Sequence, residues 1–244
     1  MLMQKRSRTV LFIVCIFLFL LAAPTALLYF QGYRFDFEKN KIVQTGGFYF
    51  KVLPASCQVY LDGDFKKKTS GFTGSVLIEN LMPREYQVEI KKAGYHSWQK
   101  NLEVKEKQVT EAKHIILFPR NPKFEITENR IIIPKMKSVA TSSDKTKVAK
   151  KNNYEIWISY PEKEEEIFLT RFSKEIGNIF WLTDHYLIFS VGDKIKISEI
   201  DKRDKINMVN LAEFKNPEIF WDKEEKNLYV ESEGKIYLST NLIK

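Results

Sequence analysis

Cysteine is almost missing from this chain. Cys15 and Cys57 are the two among 244 residues, so neither a disulfide framework nor a cysteine-rich metal site can be built. Histidine is nearly as scarce: His96, His114 and His185 are scattered singly and supply little metal or acid-base chemistry. Gly-rich phosphate loops, zinc spacings, HExxH pairs and GxSxG elbows do not occur, so neither a cofactor nor a metal is expected. With 44% hydrophobic and 29% charged residues, the chain is neither disordered, collagenous nor polytopic, and most of it folds in water. Its length allows one or two domains.

What is present begins with a long apolar run. After MLMQKRSR come 22 residues without a charge, Thr9 to Phe30. At about 1.5 Å per residue a helix of that length crosses the roughly 30 Å hydrocarbon core of a bilayer. A cleaved signal peptide has a shorter apolar stretch and a small-x-small site. The one passable site, Leu21-Ala22-Ala23, runs straight into Pro24, so an uncleaved anchor is the preferred reading. Lys5, Arg6 and Arg8 precede the span, which assigns residues 1–8 to a basic cytoplasmic tail and 31–244 to the extracytoplasmic side. Cys15 is then a lipid-facing or packing thiol in mid-span, and Cys57 is expected to be unpaired and buried.

Without the three N-terminal cations, 36 basic residues face 31 acidic ones, a mild +5 on the exported part. Lys66-Lys67-Lys68 and Lys91-Lys92 could meet anionic wall polymers or phospholipid headgroups, but short runs of this kind are usually solvated turns and strand edges. No nucleic-acid recognition motif is present, so nucleic acid is not an expected partner.

Beyond a juxtamembrane segment at 31–46, the chain reads as short strands with turns, mainly β. FYFKVLP (48–54), CQVYLDG (57–63), SVLIENL (75–81), YQVEIKK (86–92), HSWQKNLEV (96–104) and VTEAKHIILF (109–118) are the strand candidates, and Asp62-Gly63 marks a tight turn. Pro54, then Val59-Tyr60-Leu61-Asp62-Gly63, Thr69, Leu81-Met82-Pro83-Arg84-Glu85-Tyr86 and Lys92-Ala93-Gly94-Tyr95 together resemble a PEGA domain over about residues 50–119. Arg84 stands where that family usually has glycine, and Ser70-Gly71 where a proline soon follows the threonine. The resemblance implies a small β-sandwich, assigned to 47–119, with a binding or spacer role at the cell surface and no known catalytic residues. A strand face that is apolar on one side also requires a second layer to cover it.

Tyr95 and Trp98 are the candidate ligand contacts here, as an aromatic platform for a sugar, with core packing the commoner fate of aromatics in so small a module. His96 and His114 lack ligand-spaced carboxylate or cysteine partners, and Asp62 and Asp64 lack the further oxygen ligands that calcium needs.

After a proline-flanked joint at 120–124, residues 125–244 repeat. Ile179-Phe180-Trp181 returns 40 residues later as Ile219-Phe220-Trp221, and Glu155-Ile156-Trp157-Ile158-Ser159 returns as Lys194–Ser198 and Lys235–Ser239. Asp144, Asp184 or Asp222 opens each unit, giving Asp turn, strand, hairpin, strand. A period near 40 with several strands per unit is the mark of a β-propeller blade, and the segments resemble WD40-like or TolB-like repeats. About three blades fit, whereas closed propellers have about four to eight, so an incomplete propeller-like module is expected, with pairing to another chain or an open stack of sheets as alternatives. Trp181 and Trp221 are expected in blade cores. Asp184-His185 could be read as acid-base machinery, but no nucleophile or second carboxylate comes with it. Glu162–Glu166 reads as a charged loop.

These features point to a non-enzymatic, membrane-anchored protein that binds or scaffolds wall polymer, glycan or envelope protein. An envelope-acting glycan or peptide hydrolase is the alternative, and a passive stalk the third reading.

Overall fold

The computed structural model describes residues 5–37, 39–128, 133, 138–240 and 242–243, with side chains from residue 8 onward. The chain is mainly β after one apolar helix, α1 (Lys5–Phe30). Uncharged residues allow α1 to satisfy its backbone internally without offering a polar face, and its stretch Arg8–Phe30 is long and apolar enough to cross a membrane. Pro24 lies within the helix, and the adjacent Thr25 hydroxyl turns back to donate to the Leu21 and Ala22 carbonyls. Gly32, at φ +84°, takes the left-handed position that stops the helix, its amide donating to the Tyr29 carbonyl.

Two compact units are present. One runs through Tyr49 and adds Leu77–Glu85 and Glu103–Glu111; the other comprises Phe50–Val76, Tyr86–Leu102 and Ala112–Lys244. In the first, α1 leads into an antiparallel hairpin of β1 (Tyr33–Asp36) and β2 (Lys41–Gln44), with Phe35 opposite Ile42. Val43 and Asp36 are buried on one side of the hairpin; Phe35 and Ile42 are exposed on the other. A Cβ on Gly46 would stand 2.3 Å from the Lys105 carbonyl oxygen, so only glycine allows that close approach of backbones.

Seven strands follow: β3 (Gly46–Leu53), β4 (Gln58–Leu61), β5 (Asp64–Lys68), β6 (Ser75–Leu81), β7 (Glu85–Lys91), β8 (Trp98–Glu103) and β9 (Val109–Ile116). They form a sheet in the order β5-β4-β7-β8 and a second in the order β6-β3-β9, whose strands each supply residues to both units. Asp62 and Gly63, both at positive φ, make the two-residue turn between β4 and β5, and the Asp62 carboxylate also accepts the Gln87 amide at 2.9 Å. Cys57 is buried and unbridged. Its amide donates to the Thr69 hydroxyl at 2.9 Å while the Thr69 amide donates to the Cys57 carbonyl at 2.8 Å, closing the base of this hairpin.

The remaining strands are β10 (Glu125–Ile126), β11 (Val139–Thr141), β12 (Val148–Lys151), β13 (Glu155–Tyr160), β14 (Glu165–Arg171), β15 (Ile176–Thr183), β16 (Tyr186–Val191), β17 (Lys194–Glu199), β18 (Met208–Glu213), β19 (Glu218–Asp222), β20 (Asn227–Ser232) and β21 (Lys235–Ser239). They make three four-stranded antiparallel sheets: β11 to β14 in order, β15 to β18 in order, and β10-β21-β20-β19. The third is completed by β10, from the very start of the repeat stretch and ahead of the first sheet. Asp144, Asp184 and Asp222 each lie at the turn or strand end between the first and second repeat strands. No closed barrel or closed propeller is formed among the described residues.

The middle sheet is covered on both sides, which explains why every residue of β16 is buried instead of every second one. Toward the first sheet, Trp181, Leu187, Phe189, Ile176 and Ile179 pack with Ile156 and Ile158. Toward the third, Ile188, Ile195 and Ile197 pack with Trp221, Leu228 and Val230, and Phe118 joins them. The first strands of successive sheets are tied directly. The Trp181 indole donates to the Ala140 carbonyl at 2.8 Å, and the Asn178 side-chain Nδ2 donates to the Ile219 carbonyl at 3.2 Å.

Candidate functional site

Within the second unit, β8, β9 and the loop after β17 enclose a cleft of about 390 Å³, within the size range of small-ligand sites. Behind the lining residue Glu199 lies a buried ion pair. Lys100 has no solvent exposure on its side chain, and its ammonium sits 2.6 Å from Glu199 and donates to the Asp201 carbonyl at 2.6 Å. Glu199 spends its remaining lone pairs on the Trp98 indole at 2.8 Å and on both the amide and the side-chain nitrogen of Asn207 at 2.9 Å. The Gln99 amide reaches Asn207 Oδ1 and the Asn101 amide reaches Asp204 Oδ2, so β8 is stitched to the β17–β18 loop residue by residue.

Two histidines meet in the wall. His114 from β9 and His185 from the β15–β16 turn stack with ring centroids 3.7 Å apart and planes 13° from parallel. The Asp184 carboxylate fixes that turn by accepting the amides of Ser143 and Asp144, and the His185 carbonyl accepts the Ile200 amide. Burial first, then the cations Lys51, Lys113 and Lys147, hold His114 below the usual imidazole value, with Asp184 opposing. Burial likewise lowers His185, followed by His114 and Lys147. Both rings are therefore neutral near pH 7, each offering one donor and one acceptor. No ring nitrogen of either has a hydrogen-bonding protein partner among the described residues.

Four of the other charged lining residues, Lys147, Lys202, Arg203 and Asp201, are held in ion pairs. Lys147 pairs with Asp144 at 2.6 Å, Lys202 with Glu165 at 3.1 Å and Arg203 with Asp201 at 2.7 Å. Burial acts to raise the Asp201 carboxyl, but hydrogen bonds from Arg203 and the charges of Lys100 and Arg203 outweigh it and hold the group below its ordinary value. A glycosidase-type acid needs a carboxyl raised toward neutrality, the opposite of this arrangement. Tyr160 and Ile167 complete an apolar side, and burial raises the Tyr160 phenol, so it stays a neutral donor. The arrangement can hold an uncharged or weakly charged molecule by stacking and neutral hydrogen bonds.

The two aromatic residues proposed as ligand contacts separate. Trp98 is 3% exposed, lines the inner wall of the cleft and has its indole nitrogen committed to Glu199. Tyr95 is half-buried under the Lys92 ammonium at 5.9 Å, is not among the cleft's lining residues, and has its carbonyl bonded to Arg120. They do not make one platform. His96 is also apart from the pair, its Nε2 buried without a partner among the described residues, and burial followed by Arg120 lowers its pKa. Groups of three or more metal-ligating side chains are absent among the described residues. Trp181 and Trp221, at 1% and 3% exposure, are core.

Lys100 and Glu199 escaped the sequence reading, although one signal was present. Lys100 shares the strand parity of Trp98 and Leu102, which places it on the covered face of β8. Nothing local pairs His114 with His185, because their contact is created by packing between distant segments.

No family model matches the chain, and no curated protein matches it. Among solved structures, 15 chains match, one being the crystal structure of Kluyvelomyces marxianus Hsv2 at 10% identity and a TM-score of 0.24. That alignment covers 78% of this chain and 46% of the other, so it spans less than half of that protein's length and assigns neither fold nor function here.

Proposed function

We propose that this chain is a single-pass membrane protein that displays β modules on the extracytoplasmic side, where they bind or scaffold envelope components without catalysis. The observation that carries this reading is the apolar helix Arg8–Phe30, which passes through Gly32 directly into β structure. The basic residues before it favour a cytoplasmic N-terminus. A PEGA-like module at about 50–119 is supported by the Asp62-Gly63 turn and the Cys57–Thr69 exchange, and a propeller-like module by three consecutive four-stranded sheets that each carry the aspartate turn. The cleft with its stacked imidazoles is the proposed contact for a neutral, hydrogen-bonding partner such as a glycan or peptide backbone.

The test uses the full chain in labelled nanodiscs, incubated with isolated bacterial cell envelopes at low salt and again at about 0.5 M, where screening is short-ranged. Salt-resistant binding that falls in His185→Ala and Tyr160→Ala variants supports the reading. Absence of binding at both salt concentrations sinks it.

A further inference from the structure

We propose that the β1–β2 hairpin is a second membrane contact, an aromatic wedge seated in the headgroup layer beside the end of α1. The inference rests on the reading of α1 as a membrane span and goes beyond it, because a span alone requires nothing of the residues that follow.

The first observation is one apolar hairpin face left open. Tyr33 and Phe35 project to the same side of β1 as Ile42 of β2, because alternate residues share a face and Phe35 is registered opposite Ile42, and Phe37 follows in the turn just beyond the strand. Phe35, Ile42 and Phe37 are 44%, 66% and 88% exposed, and the Phe35 and Phe37 rings meet edge to face at 5.0 Å. The opposite side carries Val43 and Asp36, both buried. An uncovered aromatic and aliphatic face on a hairpin whose other face buries Val43 and Asp36 is unusual for a hairpin that meets only water.

The second observation is that this face cannot leave the end of the helix. The Thr45 amide donates to the Gly32 carbonyl at 2.9 Å and the Gln44 side chain donates to the Gln31 carbonyl at 2.6 Å. Arg34 donates to the Tyr29 and Tyr33 carbonyls at 2.8 Å, and its guanidinium stacks over the Tyr29 ring at 3.6 Å. The hairpin is thus hydrogen-bonded to the last turn of the helix as well as joined to it by chain. Phe35 is five residues past Phe30, a separation of at most roughly 18 Å even for a fully extended chain.

The third is composition. Tyr29, Phe30, Tyr33, Phe35 and Phe37 fall within nine residues of sequence, and the stretch 29–41 also has Arg34, Lys39 and Lys41 against Asp36 and Glu38. Amphipathic tyrosine rings and snorkelling cations are what the boundary between hydrocarbon and water selects, and phenylalanines beside them supply the apolar surface that buries there. A lipid interface therefore fits this surface better than a second copy of the chain, because nothing else need be recruited to a position the helix already reaches.

The experiment places a reporter where it displaces nothing. Full-length Phe37→Trp, and separately Phe35→Trp, are reconstituted into phosphatidylcholine and phosphatidylglycerol vesicles, with lipids brominated near the headgroup or near the chain end, and floated on a gradient. Wild-type emission is subtracted. Expected is co-flotation, with the added tryptophan emission blue-shifted and mostly lost to headgroup-proximal bromine but little affected by the deep label. Co-flotation with unquenched, red emission overturns the wedge and leaves the membrane span standing. Blue-shifted emission that resists bromine and changes with protein density identifies self-association and overturns it too. Failure to float at all removes both the span and the wedge.

Discussion

The Lys100 ammonium and the Glu199 carboxylate lie 2.6 Å apart with side-chain exposures of 0% and 4%, an ion pair taken wholly out of water. Such a pair holds only if both partners are fully bonded, which the Asp201 carbonyl, the Trp98 indole and Asn207 accomplish. Removing one partner leaves a buried charge. Lys100→Met is expected to cost about 3–5 kcal/mol in urea denaturation. The double variant Lys100→Met with Glu199→Leu is expected to recover much of that loss. Strictly additive losses would show that the two side chains are not coupled.

The repeated tryptophans are not equivalent. Trp181 donates to the Ala140 carbonyl at 2.8 Å, whereas the Trp221 indole nitrogen is buried without a partner among the described residues. Trp181→Phe therefore loses a hydrogen bond as well as volume, and leaves Ala140 with one acceptor unmet. It is expected to exceed Trp221→Phe in cost by about 1 kcal/mol, measured by denaturation midpoints. An equal or reversed order would contradict this account.

Stability is expected to fall as pH drops from 7.5 toward 5. His114 and His185 are held below the ordinary imidazole value in the fold, so below about pH 6.5 the unfolded chain binds protons that the folded chain resists. The loss begins near the unfolded value and stops growing below the folded ones; His96 adds the same sign. His114→Phe keeps a ring against His185 and removes one titration, so its midpoint should depend less steeply on pH. A slope identical to wild type would rule out the histidine stack as a source of the effect.

A spanning helix predicts how the protein leaves a membrane. The full chain in native membranes is expected to resist both high salt and alkaline carbonate and to dissolve only in detergent. Two charges introduced in mid-span, Phe17→Lys with Leu21→Lys, are expected to release it, since each charged residue near the helix centre costs about 2.5–3.5 kcal/mol of insertion. Wild-type release by carbonate would count against the anchor.

Much of the β organisation was legible because strand signals are local. Alternation in YQVEI and KNLEV, the Asp62-Gly63 dipeptide and the 40-residue return of Ile-Phe-Trp each sit within a few residues or one repeat, and the structure places β7, β8, the β4–β5 turn, β15 and β19 on them. The β5 strand is not legible as a strand, because DFKKK is exposed at every position and carries no burial pattern to set it apart from a lysine run. The juxtamembrane hairpin is hidden for a related reason, since its apolar Phe35 and Ile42 stay exposed while Asp36 is buried, the reverse of the pattern a strand ordinarily shows.

By itself, the sequence determined that an apolar span comes first, that β structure follows, and that units of about 40 residues recur, since each depends on spacing along one stretch of chain. Tertiary structure alone decided that β10 completes the last sheet, that Lys100 is buried against Glu199, and that His114 stacks on His185. Those three depend on which distant segments come into contact, and contact between distant segments is settled by how whole sheets bury their faces, a quantity no local pattern of residues contains.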